Sequence, residues 1–135
     1  KVIIRIKNMI ENFLIIKYIG EDDKLGLRIN KEFFIHHFEN QKNNNEQLVL
    51  EIIKFLESHH VKLDKNFSII VNQGPGSFSR LRISLAIAKG LKISKNIKLF
   101  GYKDRNLKQF DQENIENLLN KNLIEKKLIN PIYLS

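Results

Sequence analysis

The chain has 135 residues, 42% of them apolar and 28% charged, with a formal net charge of +8 and no cysteine. That is enough for one globular domain with a real core but not for two. No apolar run approaches the ~18–20 residues that span a bilayer, and a disulfide scaffold and thiol catalysis are excluded. The first residues lack a cleavable apolar core followed by small residues, so the expectation is a cytoplasmic protein with no membrane role. The basic residues are scattered rather than gathered into a Lys/Arg cluster or interleaved with aromatics, and Lys, Asn and Ile are abundant throughout. A standalone basic RNA-binding module is therefore an alternative, not the leading reading.

Residues 1–12 precede the first clear element, and Met9, the only methionine, is a candidate native start. Phe13 to Tyr18 reads as a buried strand, and Gly20 to Asp23 as an acidic turn exposed to solvent. Lys24 to Asn30 alternates Leu25, Leu27 and Ile29 with Lys24, Gly26 and Arg28, the period-two pattern of a half-buried strand. A tight turn at Asn30-Lys31 then returns Glu32 to Phe38 as the third strand of a meander. Asn40 to Asn45 is polar, with Asn44 or Asn45 placed to cap a helix over Glu46 to His59. On the helical wheel Leu48, Val49, Leu50, Ile52, Ile53, Phe55 and Leu56 cover more than half the circumference. Packing on one sheet needs an arc of only ~100° or somewhat more, so this helix is expected to touch a second helix too.

A strand at Phe67 to Val71 leads into Gly74-Pro75-Gly76-Ser77-Phe78, which holds two of the six glycines and one of the two prolines. This is a strand-loop-helix corner expected to present N–H groups of Gly76, Ser77 and Phe78. The helix it opens, Ser79 to Ile93, is apolar almost all round except for a stripe of Arg82, Lys89 and Lys92, and is expected to be buried on two sides. Lys98 to Tyr102 is a short strand. Beyond it, Asn106 to Phe110 reads as a helical turn, Glu113 to Asn120 as an amphipathic helix and Pro131 to Leu134 as a closing strand. The order β-β-β-α-β-α-β is mixed α/β, with the later strands reached through helical crossovers.

Specific chemistry is sparse. The corner lacks the G-x-x-x-x-G-K-[ST] spacing of a P-loop and the G-x-G-x-x-G of a dinucleotide fingerprint. It serves either as a rigid turn that aims the following helix or as an anion loop at a helix start. His36-His37 and His59-His60 are adjacent pairs that point apart, so neither chelates alone, and no metal is assigned. Ser77 and Ser79 have no identifiable base, and no catalytic residue is assigned.

The run Gly74-Pro75-Gly76-Ser77-Phe78-Ser79-Arg80-Leu81-Arg82-Ile83, then Ala86-Ile87-Ala88-Lys89-Gly90-Leu91, then Ile97-Lys98-Leu99-Phe100-Gly101 resembles the signature of the TsaB (YeaZ) family. Members usually read GPGSFTGLRIG, A-x-AKGL and I-P-L-x-G. The resemblance covers about residues 13–102, and Pro131-Ile132-Tyr133-Leu134 is similar to a P-x-Y-L near the family's C-terminus. It implies a single actin-like (ASKHA, ribonuclease H-like) lobe with two main helices over residues 13–102. Residues 103–135 would be a short remnant standing in for a largely missing second lobe.

The resemblance further implies a non-catalytic, cofactor-free scaffold subunit for tRNA threonylcarbamoyladenosine formation. Such subunits dock a TsaD-like enzyme, alongside a TsaE-like ATPase, or pair with themselves, through the two helices; tRNA is met only through the complex. Leu48, Glu51, Ile52, Phe55, Leu81, Arg82, Leu85 and Lys89 are the residues assigned to that interface. The alternative within this chain is a small nucleotide- or anion-binding protein using the Gly-Pro-Gly loop. Two departures bear on it. Arg80 and Ser84 stand where the family usually has Gly, and Lys17-Tyr18-Ile19 stands where its first strand runs into Asp-Thr-Ser. Lys17 and Tyr18 cannot supply the carboxylate and small residues with which actin-like ATPases hold metal and phosphate.

Overall fold

The computed structural model describes residues 10–38 and 45–126. Three strands, β1 (Asn12–Lys17), β2 (Lys24–Ile29) and β3 (Glu32–His37), form an antiparallel meander. Helix α1 (Asn45–Ser58) leads to β4 (Phe67–Asn72), which lies parallel to β1. Helix α2 (Phe78–Lys95) leads to β5 (Lys98–Tyr102), parallel to β4. A 3₁₀ turn at Asp104–Asn106 and helix α3 (Gln112–Asn120) precede β6 (Ile124–Glu125), which pairs antiparallel with β5. The sheet order is β3-β2-β1-β4-β5-β6.

Alternation along the strands feeds two cores. Leu14, Ile16, Leu25, Leu27, Phe67, Ile69, Val71 and Leu99 face α1 and α2, where Leu48, Ile52, Phe55, Leu56 and Ala88 meet them. Phe13, Ile15, Ile70, Phe100 and Tyr102 face the other way, onto Ile115, Leu118 and Leu119 of α3. Because both faces of β1 and β4 are covered, those strands read as continuous apolar runs.

Local chemistry sets the boundaries. Asn30 (φ +52°) and Lys31 (φ +70°) form a left-handed two-residue turn between β2 and β3, the geometry that joins twisted strands. Helix α1 ends in a Schellman arrangement: Val61 N–H donates to Leu56 O at 3.0 Å and His60 N–H to Glu57 O at 3.1 Å, with His60 left-handed. Helix α3 ends the same way, with Leu123 N–H on Leu118 O and Asn122 left-handed. Its start is fixed by Asp111, whose carboxylate accepts from Asn114 N–H at 2.8 Å.

The five strands predicted between Phe13 and Tyr102 and the two main helices are present within two residues of their expected ends. Four expectations fail. The turn predicted at Asn106–Phe110 sits at Asp104–Asn106, because Asp104 N–H is tied to Gly74 O while Leu107 and Phe110 fill the second core. Strand β6 was not predicted. The acidic turn is exposed at Gly20, Glu21 and Asp22 but not at Asp23, which is buried. Helix α2 is not buried on two sides: Phe78 is 51% exposed and Ile93 is 85% exposed, while polar Arg80 and Ser84 sit inside. Ser84 is accommodated by donating its hydroxyl to Leu81 O at 3.1 Å. The strand expected at Pro131–Leu134, the Asn44 cap and residues 1–8 lie outside the described residues. Among the described residues no helix is long and apolar enough to cross a membrane.

Candidate docking face and the locked corner

The corner between β4 and α2 is held from two sides. Gly74 takes φ +93°, a conformation that favours glycine, and precedes a cis peptide bond to Pro75. Its N–H donates to Asn72 Oδ1 at 2.8 Å and its carbonyl accepts from Asp104 N–H at 3.0 Å. Asn72 Nδ2 donates onward to Asp104 Oδ1 at 2.9 Å and to Tyr102 Oη at 3.1 Å. On the other side Ser77 N–H donates to Ile19 O at 2.7 Å. Gly76 lies against that loop so closely that a Cβ there would stand 2.6 Å from Ile19 Cβ and 2.9 Å from Ile19 O. The N–H of Ser77, expected to be presented, is thus consumed within the chain, and α2 begins one residue later.

The loop that meets the corner is closed on itself. Asp23 Oδ1 accepts from Ile19 N–H at 2.8 Å and Gly20 N–H at 3.0 Å. Its other oxygen pairs with the Arg80 guanidinium, and both side chains are buried. That guanidinium also lies over the Tyr18 ring, 4.9 Å from its centroid. Two of the positions where this chain departs from the family signature, Tyr18 and Arg80, are therefore in contact and share Asp23. The turn amides of Ile19 and Gly20 are thus occupied by the chain's own carboxylate. Burial pushes the Tyr18 hydroxyl above its ordinary range, with Arg80 opposing and Asp23 reinforcing the shift. The Tyr102 hydroxyl is pushed further by complete burial, partly offset by the Asn72 hydrogen bond.

The four histidines do structural work or face solvent. His36 bonds Glu51 across β3 and α1, and its ring packs on Phe55 and Phe38. His59 stacks on Phe34 at 3.9 Å and meets Phe55 edge-on, while His37 and His60 are exposed. Among the described residues no three His, Asp or Glu side chains gather in a metal-binding group.

The interface residues expected from the sequence fall into two sets. Leu48, Ile52, Phe55 and Leu81 are buried in the chain's own core, and Glu51 is committed to His36. Arg82 and Lys89 are exposed and Leu85 is half-buried. Helix α1 instead shows solvent Val49, Leu50 and Ile53, exposed by 37%, 51% and 45%. Helix α2 shows Phe78, Arg82, Ala86, Lys89, Gly90 and Ile93, which recur every three to four residues on one side. The two helices pack together on one face of the sheet, so both sets look outward from it. The wheel excess in α1 thus divides between α2 and open solvent. The full circumference signalled the excess; only the fold could say which residues carried it.

A meander of three antiparallel strands followed by two parallel strands reached through helices, in the order 3-2-1-4-5, is the fold of an actin-like (ASKHA) lobe. Solved structures agree: YeaZ from Pseudomonas aeruginosa superposes with a TM-score of 0.65 at 18% identity, over 73% of this chain and 46% of that one. A second structure, titled as an uncharacterized protein with similarity to peptidase YEAZ from P. aeruginosa, gives the same TM-score and identity over 73% and 45%. In sequence, 57 residues are 39% identical to the tRNA threonylcarbamoyladenosine biosynthesis protein TsaB of Buchnera aphidicola subsp. Baizongia pistaciae (strain Bp), 42% of this chain and 26% of that protein. Residues 37–103 also match the family model described as TsaD, tRNA N6-adenosine threonylcarbamoyltransferase. By sequence and fold together the chain is similar to proteins of the TsaB (YeaZ) family. The matches span less than half the length of the YeaZ structures and about a quarter of the TsaB relative.

Proposed function

We propose that this chain is a non-catalytic scaffold subunit in the formation of threonylcarbamoyladenosine on tRNA. It docks a TsaD-like enzyme through the outward faces of α1 and α2. The observation that carries this reading is the exposure of Val49, Leu50 and Ile53 on a helix that already buries Leu48, Ile52 and Phe55. Grouped apolar residues left in water favour a protein partner. Next to them, Ala86 and Gly90 offer little side-chain bulk, and nothing lies within 4 Å of a Cβ built at Gly90. A second helix can approach such a face closely, with Arg82 and Lys89 at hand for partner carboxylates. A TsaE-like ATPase would join the assembly through the enzyme, and self-pairing through the same face is the competing outcome. Co-expression with the TsaD-like enzyme tests the proposal: stable co-purification and restored tRNA modification support it, and separate elution with no restoration contradicts it.

The corner supports a structural role over nucleotide chemistry. Gly74 N–H and Ser77 N–H are bonded internally, and the guanidinium nearest the corner is neutralised by Asp23. The corner's work is to set the angle of α2, and with it the docking face.

A further inference from the structure

At the pole opposite the corner, the fold gathers residues that are far apart in sequence. One cleft of about 370 Å³ is lined by Glu11, Asn12, Arg28, Asn30 and Lys31. A second of about 320 Å³ shares Asn12 and Asn30 and continues to His60, Lys62 and Asp64. The two share Asn12 and Asn30 as walls, at the start of β1 and the β2–β3 turn, with Arg28 and Lys31 in the first and Lys62 in the second. We propose that the first of these clefts binds a phosphate-ester group, with Arg28 and Lys31 as its principal donors and Lys62 lining the neighbouring cleft.

Four observations carry the assignment. The Arg28 Nε atom is buried and has no hydrogen-bond partner among the described residues, while NH1 of the same group is fixed by Glu116 at 3.1 Å. A guanidinium anchored at one end with an unsatisfied donor at another is a pre-oriented fork for an oxyanion. Lys31 and Lys62 are exposed and make no ion pair among the described residues. Lys31 also occupies the second left-handed position of its turn (φ +70°), where glycine is the favoured residue. Its presence there carries a conformational cost that the turn alone does not explain. Finally, the acids nearby are partly engaged: Asp64 already accepts from Asn66 N–H at 2.8 Å. The turn itself is fastened to β1 by Asn30 N–H on Asn12 Oδ1 at 3.1 Å, which fixes the cleft's floor.

The phosphate group can belong to a small molecule or to an RNA backbone, and the two sources separate experimentally. The full chain is titrated with inorganic phosphate, with AMP and with an oligouridine RNA while the Arg28 Nε–H resonance is followed by NMR. Affinities are measured for Lys31→Glu and for Lys108→Glu, an equal change of net charge at an exposed residue away from the cleft. The expected result is a specific Arg28 Nε–H shift and about tenfold weaker binding in Lys31→Glu than in Lys108→Glu, with binding strength falling as salt rises. Tighter binding of RNA than of AMP identifies a nucleic-acid backbone site, and the reverse identifies a mononucleotide site; both support the proposal. No Arg28 Nε–H shift with any of the three, or equal losses in the two variants, overturns it. The cleft lies away from the α1–α2 face, so this outcome is independent of whether a TsaD-like enzyme docks there.

Discussion

Arg80 of α2 and Asp23 of the β1–β2 turn, 57 positions apart in sequence, form a buried ion pair that joins the corner's helix to the loop it rests on. The pair is hydrogen-bonded further by two backbone amides and covered by Tyr18. Breaking it from one side leaves a buried charge uncompensated, at a cost of about 3–5 kcal/mol. Arg80→Gly, which restores the family's usual residue, and Asp23→Ala should each lower stability by that order in urea denaturation. The double variant Asp23→Ala with Arg80→Gly should lose clearly less than the two single losses combined, because it leaves neither charge buried alone.

Gly76, just before α2, and Gly90, inside it, respond oppositely to the same change. Gly76→Ala forces a Cβ against the Ile19 backbone and disturbs the Ser77–Ile19 hydrogen bond, for a loss of about 1–3 kcal/mol. Gly90→Ala meets open space inside a helix and should stabilise the isolated chain by about 0.5–1 kcal/mol. Thermal melts of both variants check the signs.

On α1, neighbouring residues separate folding from assembly. Leu48→Ala removes a fully buried side chain and should cost about 2–5 kcal/mol, and Phe55→Lys, a charge placed in the core, should abolish folding. Leu50→Lys and Ile53→Lys alter exposed positions and should leave the melting transition within about 0.5 kcal/mol of the parent. Circular dichroism melts of the four variants give the division.

Alkaline pH should unfold the protein through its tyrosines. Tyr18 and Tyr102 have folded-state pKa values raised above the ordinary value near 10, chiefly by burial. Below that pH both are protonated in either state and their contribution to stability is complete. As pH rises past it, the unfolded chain releases protons that the folded chain keeps, so stability falls by up to about 1.4 kcal/mol per pH unit for each tyrosine. Absorbance at the phenolate band should show these two ionising together with loss of the far-UV signal. Ionisation near pH 10 with the fold intact would contradict their burial.

The sheet was legible because its strands obey simple patterns: alternation in Lys24–Asn30, a continuous apolar run in β4, and turn residues at Asn30-Lys31. The corner's position was legible from Gly74-Pro75-Gly76, but not what it touches. Asp23 looked like half of an acidic surface turn because its partner lies on a different element. Arg80 was legible only as a departure from the glycine of the family signature, with nothing in the sequence to name its partner. The excess of apolar residues in α1 was legible, yet Leu48 and Val49 cannot be sorted by type when both are aliphatic. The sheet's position decides which of them is covered. The cleft lined by Arg28 and Lys31 left no mark in the sequence, since residues of β1, β2 and a turn come together only in the fold.

The central claim is that the outward faces of α1 and α2 bind a TsaD-like enzyme. It is tested most directly by sedimentation velocity of that enzyme mixed with the parent chain, with Ile53→Lys and with Lys108→Glu. The account predicts a complex with the parent and with Lys108→Glu, and at least about 30-fold weaker association with Ile53→Lys. A complex of unchanged strength with Ile53→Lys, or no complex with the parent, would contradict it.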